Sequence, residues 1–425
     1  MDSFAHDLAR RIEARRERLD AWFAQSFARY HAPFTTSVDL RDAGFKLAQV
    51  DTNIFPGGFN NLCEGDHARA SQTFRQIIAE RAGGSVKTIG ILAESHTSNL
   101  PYFFNLRILQ KILQEAGFEV EVLSLAEALV RERTMVPLGE ESLEVCRAKR
   151  EGARIGSERV LPDILILNND LSNGVPKELA GLEQPLLPLP EFGWWNRRKD
   201  VHFEHYNRFA GEAADILEID PWRISAYQET AGGVDFESGQ GLEAIAGAVG
   251  RVCARVQEKY KAGGIAEAPY AVVKSNAGTY GMSVLPVAGG AEVLALSSRE
   301  RKKLARGKGG VLVRDVLIQE GVPTTSVREG KTCEPVFYLV GGEVVGAFFR
   351  VHAAKGTRDN LNSPGAEFQQ ICIYKYAEGR PPPKAGFTLD AALVPAYTFI
   401  ARLASLAAGA ERQSDSKDQA GAAAG

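Results

Sequence analysis

A lysine at the end of a predicted β-strand, followed at once by a glycine-containing loop, constrains this sequence more than any other feature. Residues 272–284 read VVKSNAGTYGMSV, so an apolar run ends in a lysine and resumes after the loop. Glycine lets backbone N–H groups approach phosphate oxygens closely, and the lysine ammonium supplies a compensating charge. The segment therefore predicts a polyphosphate site in an enzyme that uses ATP. The residues expected to contact ATP here are Lys274, Gly278, Thr279, Tyr280 and Gly281.

The bulk composition excludes several other classes of protein. With 425 residues and a net charge of −3, the chain lacks the strong basic excess of most nucleic-acid binders. No apolar run reaches the roughly 20 residues that a membrane span needs. Five scattered cysteines without a CxxC pair argue against a disulfide framework and against a structural zinc site. We therefore expect a cytoplasmic globular enzyme of two or three domains that binds neither nucleic acid nor membrane; the oligomeric state is left open.

The first half of the chain has the pattern of a parallel α/β domain. Residues 86–93 and 164–167 are short, buried-type strands, and residues 104–116 carry apolar side chains at helical spacing. Ligands in parallel sheets bind beyond the carboxyl ends of the strands. The polar segments 94–96 and 168–170, which follow two of these strands, are therefore weak candidates for a site.

The second half changes character after a long helical pattern at 237–260, which Gly263 and Gly264 interrupt. Beyond it strands dominate, including a predicted hairpin of 336–340 and 343–350 with a Gly-Gly turn. We expect an N-terminal helix in residues 1–30, an α/β substrate domain in 31–264, a strand-rich nucleotide-binding domain in 265–409 and a disordered tail in 410–425.

A second nucleotide contact is predicted at Gln319 and Glu320, which end the strand beginning at Val316. A glutamate at a strand end, with neighbouring backbone facing a ligand, commonly holds an adenine amino group. The KxxxGxxG pattern of the Lys274 loop is weak by itself, and no Walker A motif is present. The prediction of a nucleotide site therefore rests on the lysine strand and the strand ending at Glu320 taken together.

Asp51, Asn53, Asn60 and Asn61 surround a Pro-Gly-Gly turn at 56–58. Carboxylate and amide groups in such a loop present donors and acceptors to a polar ligand such as an amino acid. The alternative is a tight turn whose side chains satisfy their own backbone.

Arg197 and Arg198 belong to a basic cluster that also contains His202 and His205. Arginine can bind a substrate carboxylate through two parallel hydrogen bonds. A solvated helix face explains the cluster equally well. The histidines lack HExxH spacing, so we do not expect zinc.

Four segments together resemble the ATP-grasp superfamily: VVKSNAGTYGMSV (272–284), VLIQEGVP (316–323), EPVFYLVGGEVVGAFFRVH (334–352) and DNLNSPG (359–365). In that superfamily a lysine strand and glycine loop cover the phosphates, and a hairpin leads to an arginine and an asparagine near the reacting centre. The resemblance implies that Lys274 and Arg350 are catalytic and that Asn360 lies close to them.

A narrower resemblance covers about residues 30 to 400. FKLAQVDTNIFPGGFNNL (45–62), AESHTSN (93–99), WWNRRKDVHFEHY (194–206) and the Lys274 loop occur in this order, and the set is similar to the proteobacterial glutamate–cysteine ligase family. This resemblance implies an N-terminal parallel α/β domain followed by an ATP-grasp-like α+β nucleotide-binding domain. It also implies ATP and Mg²⁺ as cofactors, glutamate and cysteine as substrates, and a γ-glutamyl phosphate intermediate in the first step of glutathione synthesis. Another carboxylate–amine ligase and a non-catalytic nucleotide-binding protein are the alternatives.

The metal ligands are where the sequence departs from the ATP-grasp pattern, because no late Glu-x-Asn follows the hairpin. Magnesium is expected because two phosphates and a carboxylate must be brought together. Asp51-x-Asn53 and Glu218-x-Asp220 have a spacing that puts both side chains on one strand face, but they precede the lysine strand. The downstream candidates are Glu334, Asn360, Asn362 and Glu367.

Overall fold

The computed structural model describes residues 3–94, 99–126, 132–278, 283–373 and 389–422. The helices are α1 (Phe4–Ala14), α2 (Arg16–Tyr30), α3 (Glu64–Ala82), α4 (Leu100–Glu115), α5 (Lys199–Leu217), α6 (Leu242–Gly263), α7 (Gly290–Leu294), α8 (Ser298–Leu304) and α9 (Val394–Ala422). None of these described helices combines the length and apolar character needed to cross a membrane.

The strands are β1 (Thr35–Asp42), β2 (Leu47–Asn53), β3 (Thr88–Ala93), β4 (Glu119–Ser124), β5 (Arg133–Leu138), β6 (Glu141–Arg147), β7 (Lys149–Glu151), β8 (Arg154–Gly156), β9 (Ile164–Asn168), β10 (Leu186–Leu187), β11 (Gln228–Ala231), β12 (Ala271–Ser275), β13 (Val284–Val287), β14 (Val316–Glu320), β15 (Val327–Arg328), β16 (Lys331–Val340), β17 (Glu343–His352) and β18 (Glu367–Ile371). The predicted strands, the two long helices and the hairpin are thus confirmed, with small shifts at their ends.

A parallel sheet occupies the first half of the chain, as predicted. Its order is β10-β9-β3-β4-β6-β5, and only the edge strand β5 runs antiparallel to its neighbour. Strand β9 is buried along its whole length, which explains its uninterrupted apolar sequence. The α/β fold class is confirmed.

A second sheet, which we call the central sheet, joins the two ends of the chain. Its order is β18-β17-β16-β1-β2, with β15 beside β16, and β1 pairs antiparallel with β16 from Thr35 opposite Val340 to Asp39 opposite Val336. The hairpin β16–β17 turns at Gly341 and Gly342, whose φ angles of 60° and 90° favour glycine. The central sheet therefore contains strands from both sides of the boundary that we expected near Gly264.

A third, four-stranded sheet has the order β11-β14-β12-β13, with every pairing antiparallel. Helix α6 packs its apolar face against it through Ile245, Val249 and Val252. This helix ends at Gly263, and Gly264 caps it with a φ of 64°. Because β11 and α6 precede Gly264 while β12, β13 and β14 follow it, this sheet also contains elements from both sides of that position. The domain division near Gly264 stays a prediction.

The chain termini differ from the sequence-based expectation. Residues 4–30 form two helices, α1 and α2, rather than one. Helix α9 continues past Ala410, and both Ala410 and Glu411 are buried, so the expected disordered tail does not begin at residue 410. Alanine-rich composition led to that error: small side chains let α9 pack closely inside the core formed with α1, α2, α5 and the central sheet.

Candidate active site

A cavity lies between the central sheet and the four-stranded sheet. The central sheet contributes Asp39, Arg41, Val50, Asp51 and Glu334; the four-stranded sheet contributes Val272, Lys274, Pro286, Gln319 and Glu320; and the loop after β17 contributes Arg358, Asp359, Asn360 and Asn362. The cavity therefore has apolar walls with a concentration of charge at one side, as ligand sites commonly do.

Lys274 is the buried cation at which the two sheets meet. Its side chain belongs to β12, which pairs with β13 and β14, and it is 6% exposed. The ammonium donates hydrogen bonds of 2.7 Å to the Val50 carbonyl of β2 and to Oε1 of Gln319. Burial lowers the pKa of Lys274 to about 7, although the nearby Asp51 carboxylate opposes the shift. Both hydrogen-bond acceptors are neutral, so the charge remains available to an anionic ligand.

Asp51 lies next to this lysine on β2. Its carboxylate forms an ion pair with Lys199, which begins α5. Burial acts to raise the pKa of Asp51, but Lys199 and Lys274 outweigh burial and hold this pKa below its usual range. Asp51 is therefore ionised at neutral pH and faces two lysines.

Arg350 and two carboxylates form a second buried group. The Arg350 guanidinium donates to Oδ2 of Asp39 and to Oε1 of Glu334, both at 2.7 Å, and Glu334 also accepts 2.8 Å from Arg41. Register explains the arrangement, since Glu334 faces Arg350 across the hairpin and Asp39 faces Asp51 across β1 and β2. Burial raises the pKa of Asp39, and the Arg350 guanidinium opposes that shift.

Glu320 makes a different contribution from the one expected. Its carboxylate accepts hydrogen bonds from Lys46 at 2.5 Å, from the Trp222 indole at 2.9 Å and from the Tyr227 backbone at 3.0 Å. The side chain lines the cavity but is already saturated by these donors. Gln319 beside it has a buried Nε2 without a hydrogen-bond partner among the described residues, which is a donor that a ligand could use.

The structure brings most of the predicted site residues together. Those lining the cavity are Asp51, Lys274, Gly278, Gln319, Glu320, Glu334, Asn360 and Asn362. Arg350 lies directly behind two of the lining carboxylates. The predictions for Thr279, Tyr280 and Gly281 lie outside the described residues.

The predicted loop at Asn60 and Asn61 does not reach the cavity. Asn60 donates to the side chain of Asn61, and the turn before them is held by Asn105, whose Oδ1 accepts from the backbone N–H groups of Gly58 and Phe59. Asn53 ends β2 opposite Ser37 and is likewise not a lining residue. Asn105 rather than Asn60 or Asn61 therefore holds the turn, and a ligand-binding role for these two residues stays a prediction.

The two arginines of the basic cluster, Arg197 and Arg198, lie in different surroundings. Arg197 is 5% exposed and pairs with Glu411 and the Thr52 carbonyl, so it fits neither a substrate-binding role nor a solvated helix face. Arg198 lines a second cavity, together with Trp195 and Asn276. Neither lines the cavity that holds Lys274.

Among the alternative metal candidates, Asp51 lines the cavity, whereas Glu218, Asp220 and Glu367 do not. Glu218 pairs with Arg15 and Asp220 with Lys259, both at the surface, and Glu367 pairs with Lys331. Within the described part of the chain, no group of three or more His, Cys, Asp or Glu side chains forms a ready metal site.

Sequence reasoning missed Asp39, Arg41 and Lys199. Asp39 and Arg41 stand two residues apart in β1, which is buried throughout, so both point to one face of the strand. Two charged residues at that spacing in one strand could have indicated a buried polar site. Lys199 was read only as part of the basic cluster.

Comparison with known proteins adds independent information. The family model described as "Glutamate-cysteine ligase" matches residues 9–412. The fold is similar to the crystal structure of a protein from Methylobacillus flagellatus KT, provisionally described as a gamma-glutamylcysteine synthetase, with a TM-score of 0.85 and 36% sequence identity over 96% of each chain. No curated protein matches the chain.

Proposed function

This chain belongs to the glutamate–cysteine ligase family and is an ATP-dependent ligase, and from that premise we propose that its inter-sheet cavity binds ATP and makes γ-glutamylcysteine through a γ-glutamyl phosphate. The observation that carries the proposal is Lys274, a buried ammonium with two neutral hydrogen-bond acceptors that lines the cavity between the two sheets.

The apolar part of the cavity suits the adenine ring. Val50, Val272, Pro286 and Val322 line it from both sheets, and a flat aromatic base can lie between such walls. The orphaned Nε2 of Gln319 offers a hydrogen bond to the base or to a phosphate oxygen. Glu320 supports this wall through its bonds to Lys46 and Trp222 rather than through a free carboxylate.

The reaction needs charge stabilisation and positioning more than covalent chemistry by the protein. The γ-carboxylate of glutamate attacks the terminal phosphorus of ATP, and ADP leaves. The cysteine amine then attacks the acyl carbon, loses a proton and displaces inorganic phosphate. Lys274 and the backbone at Gly278 would stabilise the negative charge on the transferring phosphoryl group.

Arg350 has a less direct part in this proposal. Because its guanidinium is committed to Asp39 and Glu334, it orients those carboxylates towards the cavity. Asp51 with Lys199 and Asp39 with Arg350 place both signs of charge at one side of the cavity. Glutamate and cysteine each carry an ammonium and a carboxylate, so this side is where we place the amino acids.

The oxygen donors of the cavity fit magnesium. Asp39, Asp51 and Glu334 come from three strands of one sheet, and Asn360 and Asn362 line the same space. Mg²⁺ prefers hard oxygen ligands and usually takes one or two carboxylates together with substrate phosphates, so a complete protein cage is not required. Asp39, Asp51 and Glu334 would hold the ion, which would supply positive charge to offset that of the phosphates. Because β1 and β2 lie beside the hairpin, carboxylates upstream of the lysine strand can serve here.

A cytoplasmic location agrees with this assignment. The five cysteines, all within the described residues, form no disulfide, as a reducing compartment favours.

Mass-spectrometric detection of γ-glutamylcysteine from ATP, Mg²⁺, glutamate and cysteine tests the activity. We expect Lys274→Ala to lower kcat/KM at least ~100-fold, the scale of one strong electrostatic contact in a transition state. Lys331→Ala removes a surface lysine paired with Glu367 and should leave kcat/KM unchanged. Near wild-type turnover in Lys274→Ala contradicts the site, and ADP release only with a different acid and amine contradicts the substrates.

A further inference from the structure

A buried polar cluster lies behind the candidate active site. Glu411 of α9 accepts hydrogen bonds from Arg197 through both carboxylate oxygens, at 2.7 and 3.0 Å, and from Nδ1 of His202 at 2.6 Å. The exposed fractions are 7% for Glu411, 5% for Arg197 and 2% for His202. None of the three lines the cavity, so the mechanism above does not use them.

The protonation state of His202 determines which groups of this cluster donate and which accept. Burial lowers the pKa of His202, so its imidazole is neutral and donates from Nδ1 to Glu411. Its Nε2 then accepts the 2.9 Å bond from the side-chain amide of Gln49, whose oxygen accepts from the Thr52 hydroxyl. Burial alone would raise the pKa of Glu411, but Arg197 and His202 outweigh it and lower that pKa to about 2. The cluster therefore holds one carboxylate and one guanidinium, with the charges balanced.

Both branches of the cluster end on strand β2. Arg197 donates to the carbonyl of Thr52, and the His202 branch ends at Gln49 and Thr52. Residues 49–52 are therefore held from one side by groups that Glu411 keeps in place. On its other side the same segment meets the catalytic lysine, since the Val50 carbonyl accepts from Lys274.

We infer that Glu411 is a positioning residue for catalysis: by holding Arg197 and His202 against β2, it fixes the Val50 carbonyl and the Asp51 carboxylate, and through them the ammonium of Lys274. This inference rests on the proposed role of Lys274. It gives α9 a function in the reaction in addition to its packing in the core.

The test compares Glu411→Gln with Glu343→Gln. Glu343 begins strand β17, and its carboxylate lies 3.5 Å from the guanidinium of Arg402 in α9. Glu343→Gln therefore removes an ion pair of α9 that does not involve β2. Arg197→Lys is a second variant of the cluster. It keeps the buried charges balanced, which favours folding. Lysine, however, cannot contact Glu411 and the Thr52 carbonyl at the same time.

The measurements are kcat, KM for ATP, thermal unfolding and the pH at which ATP affinity begins to fall. That pH reports the surroundings of Lys274, which a purely structural role of Glu411 leaves unchanged. We expect Glu411→Gln and Arg197→Lys to lower kcat/KM for ATP about 10- to 100-fold, the loss typical of a small misplacement of a catalytic group. The pH midpoint should move in both variants and stay at the wild-type value in Glu343→Gln.

The inference is overturned if Arg197→Lys has wild-type kcat/KM and the wild-type pH midpoint of ATP affinity. This holds whether or not its unfolding temperature is lower. If Glu411→Gln does not fold, Arg197→Lys decides the matter. The proposed function fails separately: full activity of Lys274→Ala would remove the role of Lys274 whatever the Glu411 variants do.

Discussion

Proton uptake on nucleotide binding is the sharpest consequence of the buried lysine. Burial lowers the pKa of Lys274 from its ordinary value of 10.5 to about 7, so the free enzyme loses this charge as the pH rises above 7. Phosphate oxygens placed beside the ammonium favour the protonated form. ATP should therefore bind the protonated enzyme, and its affinity should fall with increasing pH.

The size of the effect follows from the pKa of Lys274. With a pKa of about 7, the protonated fraction falls from about three quarters at pH 6.5 to about 3% at pH 8.5. The Kd for ATP should rise about 25-fold over this interval, which corresponds to about 1.9 kcal/mol. At pH 8.5 binding should take up nearly one proton.

Isothermal titration calorimetry with ATP and Mg²⁺, without amino acids, measures both quantities. The proton uptake is obtained from the dependence of the binding enthalpy on the ionisation enthalpy of the buffer. Lys274→Arg is the control, because a guanidinium keeps its charge across this range and the ionisation of ATP itself is common to both proteins. The variant should bind ATP with little pH dependence, and its thermal unfolding should be recorded to verify folding.

Two results would refute the reasoning. One is a wild-type Kd that changes less than about threefold between pH 6.5 and 8.5, where a pKa near 7 requires a much larger change. The other is an equal slope in Lys274→Arg, which would assign the titration elsewhere. Lys46 is the first alternative, because burial lowers its pKa to about 8.

Three further predictions concern residues around the site and in the core. Arg350→Lys should lower kcat/KM about tenfold or more, measured by product formation, because lysine cannot replace the planar contacts with two carboxylates. Glu320→Gln should cost about 3–5 kcal/mol of stability in urea unfolding, because the Lys46 ammonium stays buried without its carboxylate; a loss below about 1 kcal/mol would contradict this. Gly409→Ala should lower the unfolding temperature, since its Cβ would lie 2.5 Å from a backbone carbonyl just after α2, whereas Gly250→Ala, with open space around it, should raise stability by about 0.5–1 kcal/mol.

Local patterns predicted the parts of the fold that depend on neighbours in sequence. Short stretches of consecutive residues predict each of these parts: the lysine strand, the Gly-Gly hairpin, and the successive strands and helix of the parallel domain. The fold class and the cavity residues Lys274 and Gln319 followed from these patterns, and Asp51 followed from its position beside the Pro-Gly-Gly turn. Glu334 was predicted only as a metal-ligand candidate; its place opposite Arg350 is set by the strand register.

The parts that failed depend on partners far away in the chain. Whether Arg197 is solvated, binds substrate or is buried depends on Glu411, 214 residues later, and no local pattern contains that pairing. The role of Asp39 likewise depends on its pairing with β16 and on Arg350. Composition was misleading at residue 410, because an alanine-rich segment can be either a solvated tail or a closely packed helix.

The pairing of β1 with β16 also bears on how the protein is made. During synthesis β1 and β2 leave the ribosome about 300 residues before the strand that completes their sheet, since Thr35 pairs with Val340. Until then β1 has an unpaired edge, and such edges invite association with other chains. The active site, whose walls include β1, β2 and β16, is therefore assembled only when almost the whole chain has been translated.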